Sequence, residues 1–501
     1  MSTKSSATVL ERPSSPTSVP AEAARPTERP QPQGKPAHGA DYDVAIVGSG
    51  PGGYVAAIRA AQLGLKVAIV EKNHLGGTCL NVGCIPTKAM LSSVEALATA
   101  RNGKEYGFTV EGVKPDYDAM VKRRDKVVAG FRQGVGGLMQ KNKVTVINGK
   151  GRFLSPSEVE VTGDQGTQKV TAANLIVATG SIPSAPPIPG SDLEGVVNSD
   201  QLLALPTIPK SLAVIGAGAV GLEWGDIFHE LGAKVTVLEM ADRVIPVADA
   251  EVSQELGKSF QKKGIDLLLG VRVKGIEKTK KGLSVRYAKE GAEEKTVEAE
   301  VVLVATGRWP NTEGIGLEKL GIELQRRFVP VDEQQRTRAR GGVFAIGDIT
   351  PFPQLAHVAS RQGEVAAEVI AGHKARFESR YIPSCVYTSP EVAWVGLTEA
   401  EARERHGEVK VGRFPFRILG RAIAAGYREG FIKVVAEPKY GEILGVHMVG
   451  AHVTDLIAEP TLAMTLEATV DEIFHTVHAH PTLPEGFLEA SLDAWQRAIH
   501  K

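Results

Sequence analysis

Short apolar runs bounded by glycine alternate along this chain with stretches of helical character. Asp43 leads into Val44-Ala45-Ile46-Val47, an unbroken apolar run that predicts a strand buried on both faces. Gly48-Ser49-Gly50-Pro51-Gly52-Gly53 follows, then a helical run to Gly64, then Lys66-Val67-Ala68-Ile69-Val70, closed by Glu71. That order predicts a βαβ unit and hence a parallel sheet. The unit returns 168 residues later as Leu212-Ala213-Val214-Ile215, Gly216-Ala217-Gly218-Ala219-Val220-Gly221, a helix to Gly232, and Lys234-Val235-Thr236-Val237-Leu238-Glu239.

The glycines at 48, 50 and 53, and again at 216, 218 and 221, are spaced G-x-G-x-x-G. One glycine of such a set makes a tight turn, one lets a pyrophosphate approach the backbone, and one lets helix and strand close together; the phosphates sit on the helix N-terminus. A single loop of this kind can be no more than a turn. Two in register, each ending in an acid 23 residues after its first glycine, Glu71 and Glu239, predict two dinucleotide sites. A carboxylate at Glu239 accepts from an adenosine 2′-hydroxyl and repels a 2′-phosphate, which favours NAD over NADP, although Arg243 is near.

Val177-Ala178-Thr179-Gly180 and Val304-Ala305-Thr306-Gly307 echo each other as closing strands of the two modules. Pro183, Pro186, Pro187 and Pro189 mark the passage into the second module and Arg308-Trp309-Pro310-Asn311 the return, so the second is inserted within the first. The expected division is 41–185 with 309–380, then 186–308 as the insert, then 381–501. The last segment carries strands that read as amphipathic, such as Phe431-Ile432-Lys433-Val434-Val435, and helices after Thr454.

Composition narrows the functions. The 501 residues, 43% hydrophobic and 23% charged, suit a globular chain of about three or four domains. With 58 Lys+Arg against 58 Asp+Glu, no whole-chain field draws it to nucleic acid or an anionic membrane. No apolar run approaches the roughly 20 residues of a spanning helix and no apolar signal core opens the chain, so a cytoplasmic location is expected. Three cysteines do not make a secreted disulfide framework. Residues 1–40, rich in Pro, Ser, Ala and Thr, are expected to be a disordered linker or docking arm; Glu11, Glu22, Glu28 and the prolines argue against an organellar presequence.

Candidate chemistry lies just past the first loop, in Gly76-Gly77-Thr78-Cys79-Leu80-Asn81-Val82-Gly83-Cys84-Ile85-Pro86-Thr87-Lys88. Two thiols beside a nucleotide suggest redox exchange. If a helix begins at Thr78, they lie about one and a half turns apart near its positive end, where a thiolate is favoured. Lys88, four residues after Cys84, shares its helical face. A zinc pair or a structural bridge are the other readings, but the third cysteine, Cys385, is isolated in an apolar, strand-like stretch and reads as a buried small residue. His475, His478 and His480 are spaced in a way that admits a metal, yet no second ligand cluster accompanies them, and no metal is expected. His480 and Glu485, joined through Pro481 and Pro484, read instead as an acid/base imidazole oriented by a carboxylate.

From about residue 41 to 495 the chain resembles the flavin disulfide reductases, and within them the branch that oxidises dihydrolipoyl groups with NAD+. The resemblance is carried by the two glycine loops, the Cys79/Cys84 run, Glu239, Ala345-Ile346-Gly347-Asp348 and His478-Ala479-His480-Pro481-Thr482-Leu483-Pro484-Glu485. It implies an α/β fold of two Rossmann-like dinucleotide-binding domains, the NAD domain inserted in the FAD domain, with a C-terminal α+β dimerisation domain. FAD would be held by Gly48, Gly50, Gly53, Glu71, Thr78, Lys88, Gly151, Thr179, Gly180, Asp348 and the run Gln354-Leu355-Ala356-His357, which would open a helix toward the flavin. NAD would lie on Gly216, Gly218, Val220, Gly221, Glu223, Glu239, Val273 and Gly307. Lys88 would meet the flavin and pair with Glu223. Cys79 would exchange with substrate and Cys84 would face the flavin, while His480 and its partner Glu485 would serve the other subunit's disulfide in a homodimer. The implied partners are the lipoyl domains of 2-oxo acid dehydrogenase complexes, with neither nucleic acid nor membrane. NADPH-linked disulfide reductases and mercuric reductases share the fold and the cysteine run and form the alternative. Against the second, no cysteine follows Cys385.

Overall fold

The computed structural model describes residues 39–501; the tail expected to be disordered lies, up to residue 38, outside the described residues. β1 (Tyr42–Val47), α1 (Pro51–Gln62) and β2 (Val67–Glu71) form the first βαβ unit. They are followed by α2 (Gly77–Asn81), α3 (Cys84–Arg101), α4 (Tyr117–Lys141), β3 (Thr145–Asn148), β4 (Lys150–Ser155), β5 (Glu158–Gly163) and β6 (Gly166–Val177). β3, β2, β1 and β6 lie side by side in parallel, and β6 also continues into an antiparallel ladder with β5 and β4.

β7 (Ser181–Pro183) carries the chain out of this sheet. There follow β8 (Val196–Val197), α5 (Ser199–Leu202), β9 (Ser211–Ile215), α6 (Ala219–Glu230), β10 (Lys234–Glu239), α7 (Ala250–Lys263), β11 (Asp266–Leu269), an antiparallel trio β12 (Arg272–Thr279), β13 (Gly282–Ala288) and β14 (Lys295–Ala299), and β15 (Val301–Val304). The second parallel sheet runs β11-β10-β9-β15-β8. β16 (Arg308–Pro310) returns antiparallel to β7, and β17 (Gly342–Ala345) adds to the first sheet beside β6 ahead of α8 (Ala356–Ile370). Exit and return therefore lie against each other.

The C-terminal part holds β18 (Ser384–Val386), β19 (Glu391–Gly396), α9 (Glu399–His406), β20 (Lys410–Pro415), α10 (Gly420–Ala424), β21 (Phe431–Ala436) and β22 (Ile443–Gly450). Four short helices end it: α11 (Val453–Leu456), α12 (Ala458–Thr465), α13 (Val470–His475) and α14 (Glu485–Ala494). Its antiparallel sheet runs β18-β19-β22-β21-β20. Here the structure corrects the sequence. β21 is not amphipathic: five of its six residues, Ile432 to Ala436, are buried, including Lys433 at 1% exposure. Its polar residue is paired inside the protein. The Lys433 ammonium meets Asp249 and Glu251 from the second sheet unit at 2.9 Å each and Glu399 at 2.8 Å.

The two glycine loops have one geometry. Gly48 (φ +107) and Gly216 (φ +108) turn where an L side chain is strained, and a Cβ there would lie 2.2 and 2.5 Å from the carbonyls of Ala178 and Ala305. The third glycine of each set closes on the first: a Cβ on Gly53 or Gly221 would fall 1.9 or 2.1 Å from the carbonyl oxygen of Gly48 or Gly216. In the first unit α1 then packs on α8, where Gly363 lets the helices approach, since a Cβ on it would lie 2.5 Å from the Gly52 carbonyl. Among the described residues no helix is long and apolar enough to cross a membrane.

Gly363→Ala is expected to lower stability by about 1–3 kcal/mol, as overpacking does in a close contact. Gly130→Ala, on the exposed side of α4 with open space around its Cβ, is expected to raise it slightly through helix propensity. Urea midpoints measure both; equal midpoints would mean that α1 and α8 do not pack as described.

Candidate active site

A cavity of about 1640 Å³ opens between the first glycine loop, α3, the start of α6 and the start of α8. Its floor is the first loop. Glu71, at the end of β2, accepts from the Ser49 amide (3.0 Å), the Ser49 hydroxyl (2.6 Å) and the Asn73 amide (2.9 Å). Glu239, at the end of β10, braces the second loop in the same way, accepting from the amides of Ala217 (2.7 Å) and Ala241 (2.8 Å). The acids at equal spacing in the sequence are thus structural equivalents.

Cys79 and Cys84 are joined as a disulfide with their Cα atoms 4.6 Å apart, and both line the cavity. The single helix considered from Thr78 is not formed. α2 ends at Asn81 and α3 begins afresh at Cys84, after a break at Val82 and Gly83. Five residues of continuous helix would advance about 7.5 Å along the axis, too far for this approach of the two Cα atoms. The break places Cys84 at the first position of an 18-residue helix that no side chain caps, where the helix dipole favours a thiolate.

One turn on, the Lys88 ammonium bonds both oxygens of Glu223 at 2.9 and 2.7 Å. Glu223 is only 4% exposed and sits on α6, the helix that leaves the second glycine loop. Val220, one turn earlier on that helix, also faces the cavity. At the far end α8 begins with no side-chain cap, and Gln354, Leu355, Ala356 and His357 line the wall. A helix N-terminus there favours negative charge on whatever occupies the cavity. Asp348 lines the same wall. Burial raises its carboxyl above the usual range, against the Ser181 hydroxyl that donates to it at 2.6 Å and the charge of Arg308.

Gly50, Gly53, Gly48, Thr78, Gly151, Thr179 and Gly180 all line this cavity as well. Gly180 leaves open space where a side chain would stand, and a Cβ on Gly50 would come no nearer than 4.0 Å to anything. The cradle therefore suits an elongated dinucleotide whose phosphates meet backbone amides. Gly216, Gly218, Gly221, Glu239 and Gly307 do not line it; they belong to the second loop and its sheet. Val273 packs with the core of the second unit.

His480 and Glu485 are likewise outside the cavity of their own chain. His480 Nδ1 lies 2.8 Å from Glu485, with its ring side chain 76% exposed. Burial alone would raise the Glu485 carboxyl; the Thr482 amide, donating at 2.7 Å, and His480 hold it below the usual range. The other two histidines are engaged elsewhere, His475 with the Asp471 carbonyl and His478 with Glu459. No group of three His, Cys, Asp or Glu residues placed to hold a metal occurs among the described residues.

Three participants were not found by sequence reasoning. Ser181 and Arg308, which donates to the Ser181 hydroxyl at 2.7 Å, form a relay to Asp348. Tyr387 donates its amide to Glu223. Arg308 stands directly after the second Thr-Gly echo, a signal that was in view; Tyr387 carried none. Cys385 departs from expectation: it is half-buried and lines the cavity.

The family model described as pyridine nucleotide-disulphide oxidoreductase matches residues 42–363, and that of the dimerisation domain of the same proteins matches 382–491. The chain is 44% identical over 474 residues to a dihydrolipoyl dehydrogenase of Bacillus subtilis, covering 92% of this chain and 99% of the relative. To that of Thermus scotoductus it is 45% identical over 465 residues, covering 92% and 98%. Among solved structures, LpdA from Mycobacterium tuberculosis superposes with a TM-score of 0.83 at 30% identity, covering 89% of this chain and 98% of that one. The Cu(II) complex of the HOCl-induced flavoprotein disulfide reductase RclA from Escherichia coli gives 0.81 at 26%, covering 90% and 98%.

Burial, with Glu391 adding to it, pushes the Cys385 thiol up to about 11. At pH 8 iodoacetamide is therefore expected to alkylate Cys385 on the order of a hundredfold more slowly than an ordinary thiol. Peptide mass spectrometry of the native oxidised protein checks this, and rapid labelling of Cys385 would contradict it.

Proposed function

The chain belongs to the pyridine nucleotide-disulphide oxidoreductase family, and on that premise we propose that it acts as a dihydrolipoyl dehydrogenase, oxidising dihydrolipoyl groups to lipoyl disulfides with reduction of NAD+. The observation that carries the reading is the Cys79–Cys84 disulfide on the wall of a dinucleotide-sized cavity, one helical turn from the Lys88–Glu223 ion pair. The 41–185 and 309–380 segments would hold FAD and 186–308 would hold NAD. FAD, when bound, carries an electron pair between the dithiol and NAD+. Glu71 and the first glycine loop would receive its adenosine and phosphates, Asp348 its ribityl chain, and Lys88 and the start of α8 its redox-active end.

In the forward direction His480 of the partner subunit, oriented by its own Glu485, takes the proton from one dihydrolipoyl thiol. The thiolate attacks Cys79 Sγ, the Cys79–Cys84 bond breaks, and Cys84 leaves as a thiolate stabilised by the α3 N-terminus. The second substrate thiol attacks the substrate sulfur of the mixed disulfide while its proton passes to the departing Cys79 sulfur; lipoyl disulfide leaves, with Cys79 a thiol, Cys84 a thiolate and the first proton on His480 of the partner subunit. Two copies of the chain would complete each site; the reading is supported by His480 being exposed and not among the residues that line the cavity of its own chain. The match of residues 382–491 to a dimerisation domain supports it as well. Lipoyl domains of 2-oxo acid dehydrogenase complexes are the proposed source of substrate.

The acceptor choice rests on Glu239. Its carboxylate stands at the end of β10 where a ribose hydroxyl would be received, while Arg243 turns to the Pro246 carbonyl at 3.0 Å. NAD(H) is accordingly expected to be preferred over NADP(H).

Anaerobic titration is expected to show reduction of the bound flavin by NADH at concentrations where NADPH does nothing, and steady-state assays are expected to show turnover of dihydrolipoamide with NAD+. Preference for NADPH, or no turnover of dihydrolipoamide, would contradict the reading. Cys79→Ser is expected to retain FAD and lose dihydrolipoamide oxidation by about a thousandfold or more, because the disulfide sulfur that the substrate thiolate attacks is gone; near-normal turnover in that variant would remove Cys79 from the exchange step.

A further inference from the structure

Lys88 is a compact charge on a flexible stem, and its side chain is 31% exposed toward the cavity. Its two bonds to Glu223, at 2.9 and 2.7 Å, hold the ammonium from one side. A third contact adds to them: the centroid of the Tyr387 ring lies 4.4 Å from the Lys88 Nζ, well within the range of cation–π attraction. The same residue donates its backbone N–H to Glu223 Oε1 at 3.0 Å. One residue thus meets both members of the pair, its ring against the cation and its amide against the anion.

Tyr387 is itself held from both sides. β18 ends at Val386, paired antiparallel with β19. Beyond it, the Ser389 amide donates to Asp226 at 2.7 Å. Glu223 and Asp226 are three residues apart on α6, hence on one face of the helix, and they clamp the segment through the amides of residues 387 and 389. Tyr387 is 37% exposed, and its partial burial, with Cys385 and Glu223 adding to it, pushes the phenol up to about 12, so the ring stays neutral.

We propose that Tyr387 is a positioning residue for electron transfer at this site, its ring face and backbone amide together holding the Lys88 ammonium against Glu223 at the cavity wall. The proposal rests on the function set out above for the identity of the cofactor that Lys88 faces. It needs nothing from the lipoyl substrate.

The test compares Tyr387→Phe, which keeps the ring face, with Tyr387→Met, which fills a similar length without one, in the FAD-loaded enzyme. The readout is the limiting rate of flavin bleaching by NADH in anaerobic stopped flow, with FAD content and the half-saturating NADH concentration as controls. The methionine variant is expected to fall about tenfold in limiting rate, the loss of a partly desolvated cation–π contact, with both controls within twofold. The phenylalanine variant is expected to stay within twofold of the native rate. In a Lys88→Met background, Tyr387→Met is expected to cost nothing further, because residues that act through one another are not additive. A native rate in the methionine variant, an equal loss in the phenylalanine variant, or a full additional loss in the Lys88→Met background would each overturn the proposal. If the methionine variant does not retain FAD, Tyr387→Leu serves the same comparison. Absence of dihydrolipoamide turnover in the native enzyme would remove the substrate assignment and leave this NADH half-reaction, and the role of Tyr387 in it, standing.

Discussion

The rest of the structure depends on the buried charge of Glu223. A carboxylate at 4% exposure is costly to bury unless it is paired or hydrogen-bonded, and its partners come from two other parts of the chain. Lys88 reaches it from α3 and the Tyr387 amide from the end of β18. Satisfying that one charge therefore locks three segments together. Cys84 stands one turn before Lys88, and Val220 one turn before Glu223, so the bond also fixes how far the second nucleotide loop lies from the disulfide. Packing and chemistry are here the same constraint.

The two βαβ units begin identically and diverge at their helices. In the first, α1 buries small residues against α8, which brings the uncapped start of α8 to the cavity wall. In the second, α6 carries Glu223 and Asp226, and both turn toward the C-terminal sheet instead. Asp249, at the start of α7, repeats the device by accepting from the Glu399 amide at 3.1 Å while pairing with the buried Lys433. Burial works against each charge of this cluster, but its neighbours prevail: Asp249, facing His447 and bonded by Lys433, and Glu399, bonded by Lys433 and Arg403, are held below the usual carboxylate range, and Lys433 above the usual lysine range. A set of carboxylates thus joins the inserted unit to the C-terminal part through backbone amides and one buried cation.

Much of this was legible in the sequence, for physical reasons. Positive φ and close backbone approach demand glycine, so the two loops announced themselves at Gly48 and Gly216. Unbroken apolar runs announced the parallel strands, and the paired acids Glu71 and Glu239 proved to brace equivalent amides. His480 and Glu485 are close in the chain, so their pairing was visible as a local pattern. What stayed hidden depends on contacts distant in sequence. Lys433 in β21 reads as the polar half of an amphipathic strand until the carboxylates from α7 and α9 are seen to surround it. The break between α2 and α3 follows from the closeness of Cys79 to Cys84, and no periodicity records that. Tyr387 lies 299 residues beyond Lys88, and nothing local marks an aromatic ring that will rest on a distant ammonium.

The central claim is that electrons entering from NADH reach the Cys79–Cys84 disulfide. Anaerobic addition of NADH to the FAD-loaded enzyme, followed by an acid quench and differential alkylation read by mass spectrometry, measures this directly. The account predicts that Cys79 and Cys84 become alkylatable together, in proportion to the NADH consumed, with NADPH far less effective. A reduced flavin with both cysteines still protected as the disulfide would contradict it.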